Sequence, residues 1–68
     1  MKVQYDPAAD AMYIRLADGA VADSDEVRDS VVLDYDANGR VLGIEVLNLS
    51  RRADNPREMA FELMPSAP

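Results

Sequence analysis

The sequence predicts a mainly β protein: a small antiparallel sheet of β-hairpins with about four to five strands, and a short C-terminal helix as an open alternative. Three observations predict it. Ala11–Leu16 alternates, with Met12, Ile14 and Leu16 on one face and Tyr13 and Arg15 on the other. Val31–Tyr35 and Arg40–Leu49 are rich in β-branched and other apolar residues. Short clusters of Asp, Pro, Asn and Gly separate these runs.

In chain order, Lys2–Tyr5 is a short extended segment. Asp6-Pro7-Ala8-Ala9-Asp10 is a turn, with Asp opening it and Pro at its second position. Ala11–Leu16 returns as the second arm of a first hairpin. Ala17-Asp18-Gly19 breaks the strand, and Gly19 supplies freedom for a positive φ. The acidic stretch Ala20–Asp29 follows, with Val21 and Val27 marking edge-strand pieces. Charge on an edge discourages strand-to-strand aggregation.

Residues 34–45, DYDANGRVLGIE, fit the calcium-loop pattern D-x-[DN]-x-[DN]-G-x₅-E letter for letter. A calcium loop of that kind needs helices on both sides. Asp29–Leu33 is β-branched and poor in helix formers, and Val46–Leu49 keeps a strand-like pattern. The expectation is therefore a hairpin. Asp36-Ala37-Asn38-Gly39 suits a type I turn closed by a left-handed glycine. With that turn, Tyr35 is expected opposite Val41, Leu33 opposite Gly43 and Val31 opposite Glu45. Asp34 then meets Leu42, and Val32 meets Ile44. Both faces would be substantially apolar, so a second sheet layer, the C-terminal segment or another subunit is expected to cover one of them. Gly43 is expected to let a neighbour approach closely.

After Ser50 the chain is polar. Asn55-Pro56-Arg57-Glu58 has the letters of a helix start, whereas Met59, Phe61 and Leu63 alternate like a strand. Both forms stay open for residues 55–64, with strand preferred, and in either form Phe61 and Leu63 are expected to cover apolar surface. The division expected is one domain over 1–64 and a flexible tail over 65–68.

Composition excludes several function classes. The chain has neither cysteine nor histidine, so disulfides are out and zinc would find only carboxylates. A Ser-His or Cys-His nucleophile is likewise impossible. There is no glycine-rich phosphate loop. A chain of 68 residues seldom encloses the roughly 300 Å³ that a ligand site needs. No catalytic, cofactor-binding or metal residue is therefore assigned, no cofactor is expected, and an enzyme is not expected. A net charge of −6 opposes nucleic-acid binding, for which Arg51 and Arg52 are too thin a footprint. No apolar run is long enough for a membrane span, and the N-terminus has no signal-peptide core, so the expected setting is cytoplasmic and away from membranes. A chain this small gains stability by association, so self-association as a homodimer or higher form is expected. A small basic partner protein fits the charge.

YDPAADAMYIRLADG, residues 5–19, and VVLDYDANGRVLGIEVLNLSRR, residues 31–52, resemble the domain-of-unknown-function family 2283, made of small, mostly bacterial proteins. The family pattern is YDPxxDxxYIRL, an acidic stretch, then VxLDYDxxGxVxGIEIL. Tyr5, Asp6, Pro7, Asp10, Tyr13, Ile14, Leu16, Leu33, Asp34, Asp36, Gly39, Gly43, Ile44 and Glu45 match it. From Ala53 onward the chain departs from the pattern. The resemblance implies a compact antiparallel β-fold without an established molecular function, and an antitoxin-like role beside a small toxin. It also draws attention to Asp34, Gly43 and Glu45, with Arg15 or Arg28 as the expected partner of Glu45. The function expected is a non-enzymatic protein-interaction module. The alternative is a small-ligand or divalent-metal binder using the carboxylates clustered around residues 23–36.

Overall fold

Turn chemistry organises the chain into one sheet. In the computed structural model, which describes residues 1–66, five strands form: β1 (Lys2–Asp6), β2 (Ala11–Arg15), β3 (Asp23–Arg28), β4 (Val31–Tyr35) and β5 (Val41–Val46). Their order is β1-β2-β5-β4-β3, and every neighbouring pair is antiparallel. A mainly β chain of antiparallel hairpins is what the alternation at 11–16 and the runs at 31–35 and 40–49 predict. The expected tail reaches Ala67 and Pro68, which lie outside the described residues.

Each tight connection uses its polar residues. Asp6 accepts hydrogen bonds at Oδ1 from the amides of Ala8 and Ala9, while the Asp10 amide donates to the Pro7 carbonyl. Asp36 does the same work in the β4–β5 turn. Its Oδ1 accepts from the amides of Asn38 and Arg40, and the Gly39 amide donates to its carbonyl at 3.1 Å. Gly39 has φ 81°, the left-handed conformation that closes this turn. Strands, not helices, flank the calcium-like letters, and the Asp36 carboxylate is spent on the backbone.

The hairpin register differs from the expected one. Tyr35 does pair with Val41, but a bulge at Leu42 then shifts the ladder by one residue. Asp34 faces Gly43, Leu33 faces Ile44, Val32 faces Glu45 and Val31 faces Val46. A one-residue slip exchanges the faces of a strand. The expected sheet with two apolar faces thereby becomes an amphipathic one.

Two rows of registered residues make the apolar face. One runs Tyr5, Met12, Val46, Val31; the other runs Val3, Ile14, Ile44, Leu33. The opposite face carries Gln4, Tyr13, Glu45, Val32 and Glu26 in one row. Its second row is Lys2, Arg15, Gly43, Asp34 and Ser24.

The sheet is a single layer. The packing between elements is strand beside strand, and the molecule measures 41 × 33 × 18 Å. Full burial is confined to a few residues. Leu42 is 0% exposed: Gly19 lies against its side chain, and its carbonyl accepts from the amides of Leu16 and Ala17. Leu49 is the other buried apolar residue. It opens a 3-10 turn, Leu49–Arg51, held to the first hairpin by Asp10. The Asp10 carboxylate accepts from the amide and hydroxyl of Ser50, and the Leu49 amide donates to the Asp10 carbonyl.

Residues 55–64 form neither the strand nor the helix expected of them. Asn55 accepts from the Arg57 amide, and the Glu58 amide returns to the Asn55 carbonyl, which makes one turn that does not propagate. Beyond it no ladder or packed face rewards further order, and a short helix is marginal alone. Phe61 and Leu63 were expected to cover apolar surface; instead they are 86% and 84% exposed. Among the described residues, no helix is long and apolar enough to cross a membrane.

Candidate functional site

Gly43 occupies the middle of the central strand, where β2 and β4 flank it. Its φ is not in the left-handed region, so the position calls for space rather than for backbone freedom. A Cβ there would stand 2.6 Å from Tyr13 Cζ and 3.1 Å from Cε1. The ring of Tyr13 therefore crosses β5 over the bare backbone of Gly43. Its hydroxyl reaches β4 and donates to Asp34 Oδ2 at 2.8 Å. On the far side, Ser24 of β3 donates to Asp34 Oδ1 at 2.6 Å. One line of polar contacts thus joins β2, β4 and β3, crossing β5 over Gly43.

Sequence reasoning anticipated that Gly43 admits a neighbour, and it singled out Asp34. It missed Tyr13 and Ser24. Tyr13 and Asp34 lie 21 positions apart and meet only because β5 separates β2 from β4. The signal was Gly43 itself, a mid-strand glycine facing a carboxylate once the bulge is counted.

Electrostatics agree with the geometry. The hydrogen bond to Asp34 holds the Tyr13 hydroxyl above its ordinary range, since losing the phenol proton would set two anions together. Burial adds to this, and Arg15 partly opposes it. A phenol held neutral by a carboxylate is a poor base and a poor nucleophile at neutral pH. Both Asp34 oxygens are already engaged by hydroxyls. The line works as a cross-strand clamp.

Glu45 stands in register with Tyr13 on one side and Val32 on the other. The expected arginine partners are turned elsewhere. Arg15 donates to the carbonyls of Ala17 and Gly19 at 2.8 and 2.6 Å, and Arg28 donates to the carbonyl of Val27. The β2–β5 register places Gly43, not Glu45, opposite Arg15. Glu45 instead lines an open groove of about 430 Å³ with Gln4, Asp6, Met12 and Tyr13.

The acidic stretch does not converge on a metal. Asp23 accepts from the Ser24 amide, Asp34 is in the clamp and Asp36 is in its turn. Among the described residues, no three carboxylates are grouped to hold an ion.

The apolar face is the other candidate. Its two rows cross four strands without a charge, and no second sheet or helix packs over them; Val3 is exposed and the other seven residues are half-buried. Charge returns at the rims: on β3 Asp25 registers with Leu33 and Arg28 with Val31, and at β1 the Arg57 guanidinium lies 6.0 Å from the Tyr5 ring.

Residues 2–50 match the family described as "Protein of unknown function (DUF2283)". No curated protein and no solved structure matches the chain.

Proposed function

The chain belongs to the DUF2283 family, whose description assigns no activity, and from that premise we propose that it is a non-enzymatic protein-interaction module acting through the apolar face of its sheet. The observation that carries this is the pair of uncharged rows on a sheet face over which no second sheet or helix packs. Soluble folds bury such a face, and patches of this kind mark interaction surfaces. The absence of histidine and cysteine from the sequence and the engagement of both Asp34 oxygens in cross-strand hydrogen bonds support a role without chemistry. A small basic protein is the heterologous partner that the charge favours, approaching the acidic β3 edge at Asp23, Asp25 and Glu26. The antitoxin-like role implied by the resemblance is one form of that reading.

The test is capture by the tagged full-length chain, run beside Val3→Asp. Val3 is 40% exposed on the edge strand, so the change charges the face without emptying a core. Protein retained by the wild-type chain and lost with Val3→Asp supports the reading. Equal capture by both removes the face from the interaction.

One observation favours a second reading, a small-ligand binder: the groove beside Tyr13 and Glu45. A ligand there would raise the unfolding temperature of the wild-type chain and not of Glu45→Gln. For calcium, unmoved amides across residues 34–45 at millimolar metal would dismiss the site.

A further inference from the structure

We propose that two copies of this chain pack apolar face to apolar face into a two-layer β-sandwich, and that residues 59–64 of each chain cross onto the other copy. This rests on the reading that the face is an interaction surface, and it names the occupant.

Area is the first argument. A compact chain of 7.5 kDa exposes roughly 4,200 Å², whereas this one exposes 5381 Å², an excess of about 1,100 Å² to which the sheet and the exposed segment after Arg57 both contribute. A partner in a stable complex typically loses about 800 Å². The radius of gyration agrees: 13.8 Å here against roughly 11 Å for a compact chain of this length. A slab with one apolar side is half of a sandwich, whose two sheets stack about 10 Å apart.

The face also suits its own copy. It has no interior charge that would select a different protein, and a two-fold axis sets the same patch against itself. The rim charges Asp25 and Arg28 share one edge.

The arm supplies the rest. Met59, Phe61, Leu63 and Met64 are 57%, 86%, 84% and 69% exposed. Its root is fixed at the rim of the apolar face, where the Arg57 guanidinium lies 6.0 Å from the centre of the Tyr5 ring. Six extended residues span roughly 20 Å. That is long enough to leave its own sheet and lie along the edge of one stacked about 10 Å away. In a two-fold pair each chain gives an arm and receives one.

The experiment uses full-length chains. Sedimentation equilibrium should find a dimer at roughly 100 μM. Its affinity should rise with salt, because two chains of net charge −6 repel. A basic partner would show the opposite salt dependence. The chain has no cysteine of its own, so a Val3→Cys chain, changed at the exposed edge strand, mixed with a Leu63→Cys chain reports the crossing directly. Oxidation should give the mixed disulfide between the two chains. Phe61→Asp with Leu63→Asp, at exposed positions, should weaken the dimer at least about tenfold. A monomer at that concentration overturns the proposal. So does a dimer indifferent to the arm variants, or the absence of a mixed disulfide when the two single-cysteine chains are oxidised together. If the chain is monomeric and yet captures a protein through Val3, this proposal fails while the interaction reading stands.

Discussion

Replacing Gly43 with alanine is expected to break the polar clamp while leaving the backbone free to keep its conformation. The new Cβ would sit 2.6 Å from Tyr13 Cζ and 3.1 Å from Cε1. Carbon atoms rest about 3.5–4.0 Å apart, so the ring must withdraw by roughly 1 Å. The Tyr13–Asp34 hydrogen bond, now 2.8 Å, then stretches beyond useful range. A hydrogen bond to a charged group contributes about 1.5–3 kcal/mol, and the low end applies to this half-exposed site. Displacing the ring adds strain of about 1 kcal/mol. Against this, alanine gains roughly 0.5–1 kcal/mol over glycine in a strand. The net expectation is a loss of about 1–2 kcal/mol, or roughly 5–15 °C in Tm for a chain of this size.

Urea unfolding of four proteins decides the matter: wild type, Gly43→Ala, Tyr13→Ala and the double variant. With Tyr13 truncated, the Cβ at position 43 has no ring to meet. Gly43→Ala should then be neutral or stabilising, and the coupling between the sites should be at least about 1.5 kcal/mol. An equal loss in both backgrounds would refute the steric account. A neutral Gly43→Ala in the wild-type background would refute the clamp.

Three further outcomes are expected. Tyr13 has its pKa raised above 10.0 in the folded chain, so its contribution is intact below that value and is lost as pH rises through the folded value; the wild-type unfolding midpoint should fall more steeply than that of Tyr13→Phe as pH rises above about 10. Gly39 has φ 81° and open space around a Cβ, so Gly39→Ala should cost about 1–2 kcal/mol in urea unfolding through backbone strain alone, and Gly39→Asn should cost less. Asp10→Ala should remove the carboxylate's two bonds to Ser50 while the backbone bond from the Leu49 amide stays, visible as faster amide exchange at Ser50 with the β4–β5 amides unchanged.

The strands were legible because local signals agreed. Alternation at Ala11–Leu16, β-branched residues at Val31–Tyr35 and the Asp36–Gly39 turn each pointed one way, and no tertiary contact was needed to read them. The faces were not legible. Their assignment depends on one bulged residue, Leu42, whose letters do not differ from those of an ordinary strand residue. Counting the ladder without it put Leu33 opposite Gly43 and made both faces apolar. The clamp was hidden for a related reason, since Tyr13 and Asp34 meet only if β5 lies between their strands. Residues 55–64 carried mixed signals, a capped turn followed by alternation, and the single chain satisfies only the first. Alternation needs a neighbouring ladder, and the isolated chain presents none to Met59–Met64.

The two faces divide the work of the fold. A single-layer sheet has no second layer to fix its shape, and an isolated ladder can slip or flex. Here the polar side supplies the restraint. Tyr13, Asp34 and Ser24 tie β2, β4 and β3 together across Gly43, while Asp10 and Ser50 tie the connection after β5 to the first turn. Those bonds lie on one face and at one end of the sheet, so they hold it without occupying its apolar side. A surface held in shape before it meets a partner loses less conformational entropy on binding. Weakening the clamp should therefore act at a distance. Tyr13→Phe, which leaves every apolar-face residue in place, is expected to reduce dimer affinity several-fold in sedimentation. A dimer unchanged by Tyr13→Phe would mean that the ladder alone keeps the face in shape and that the clamp serves only the monomer.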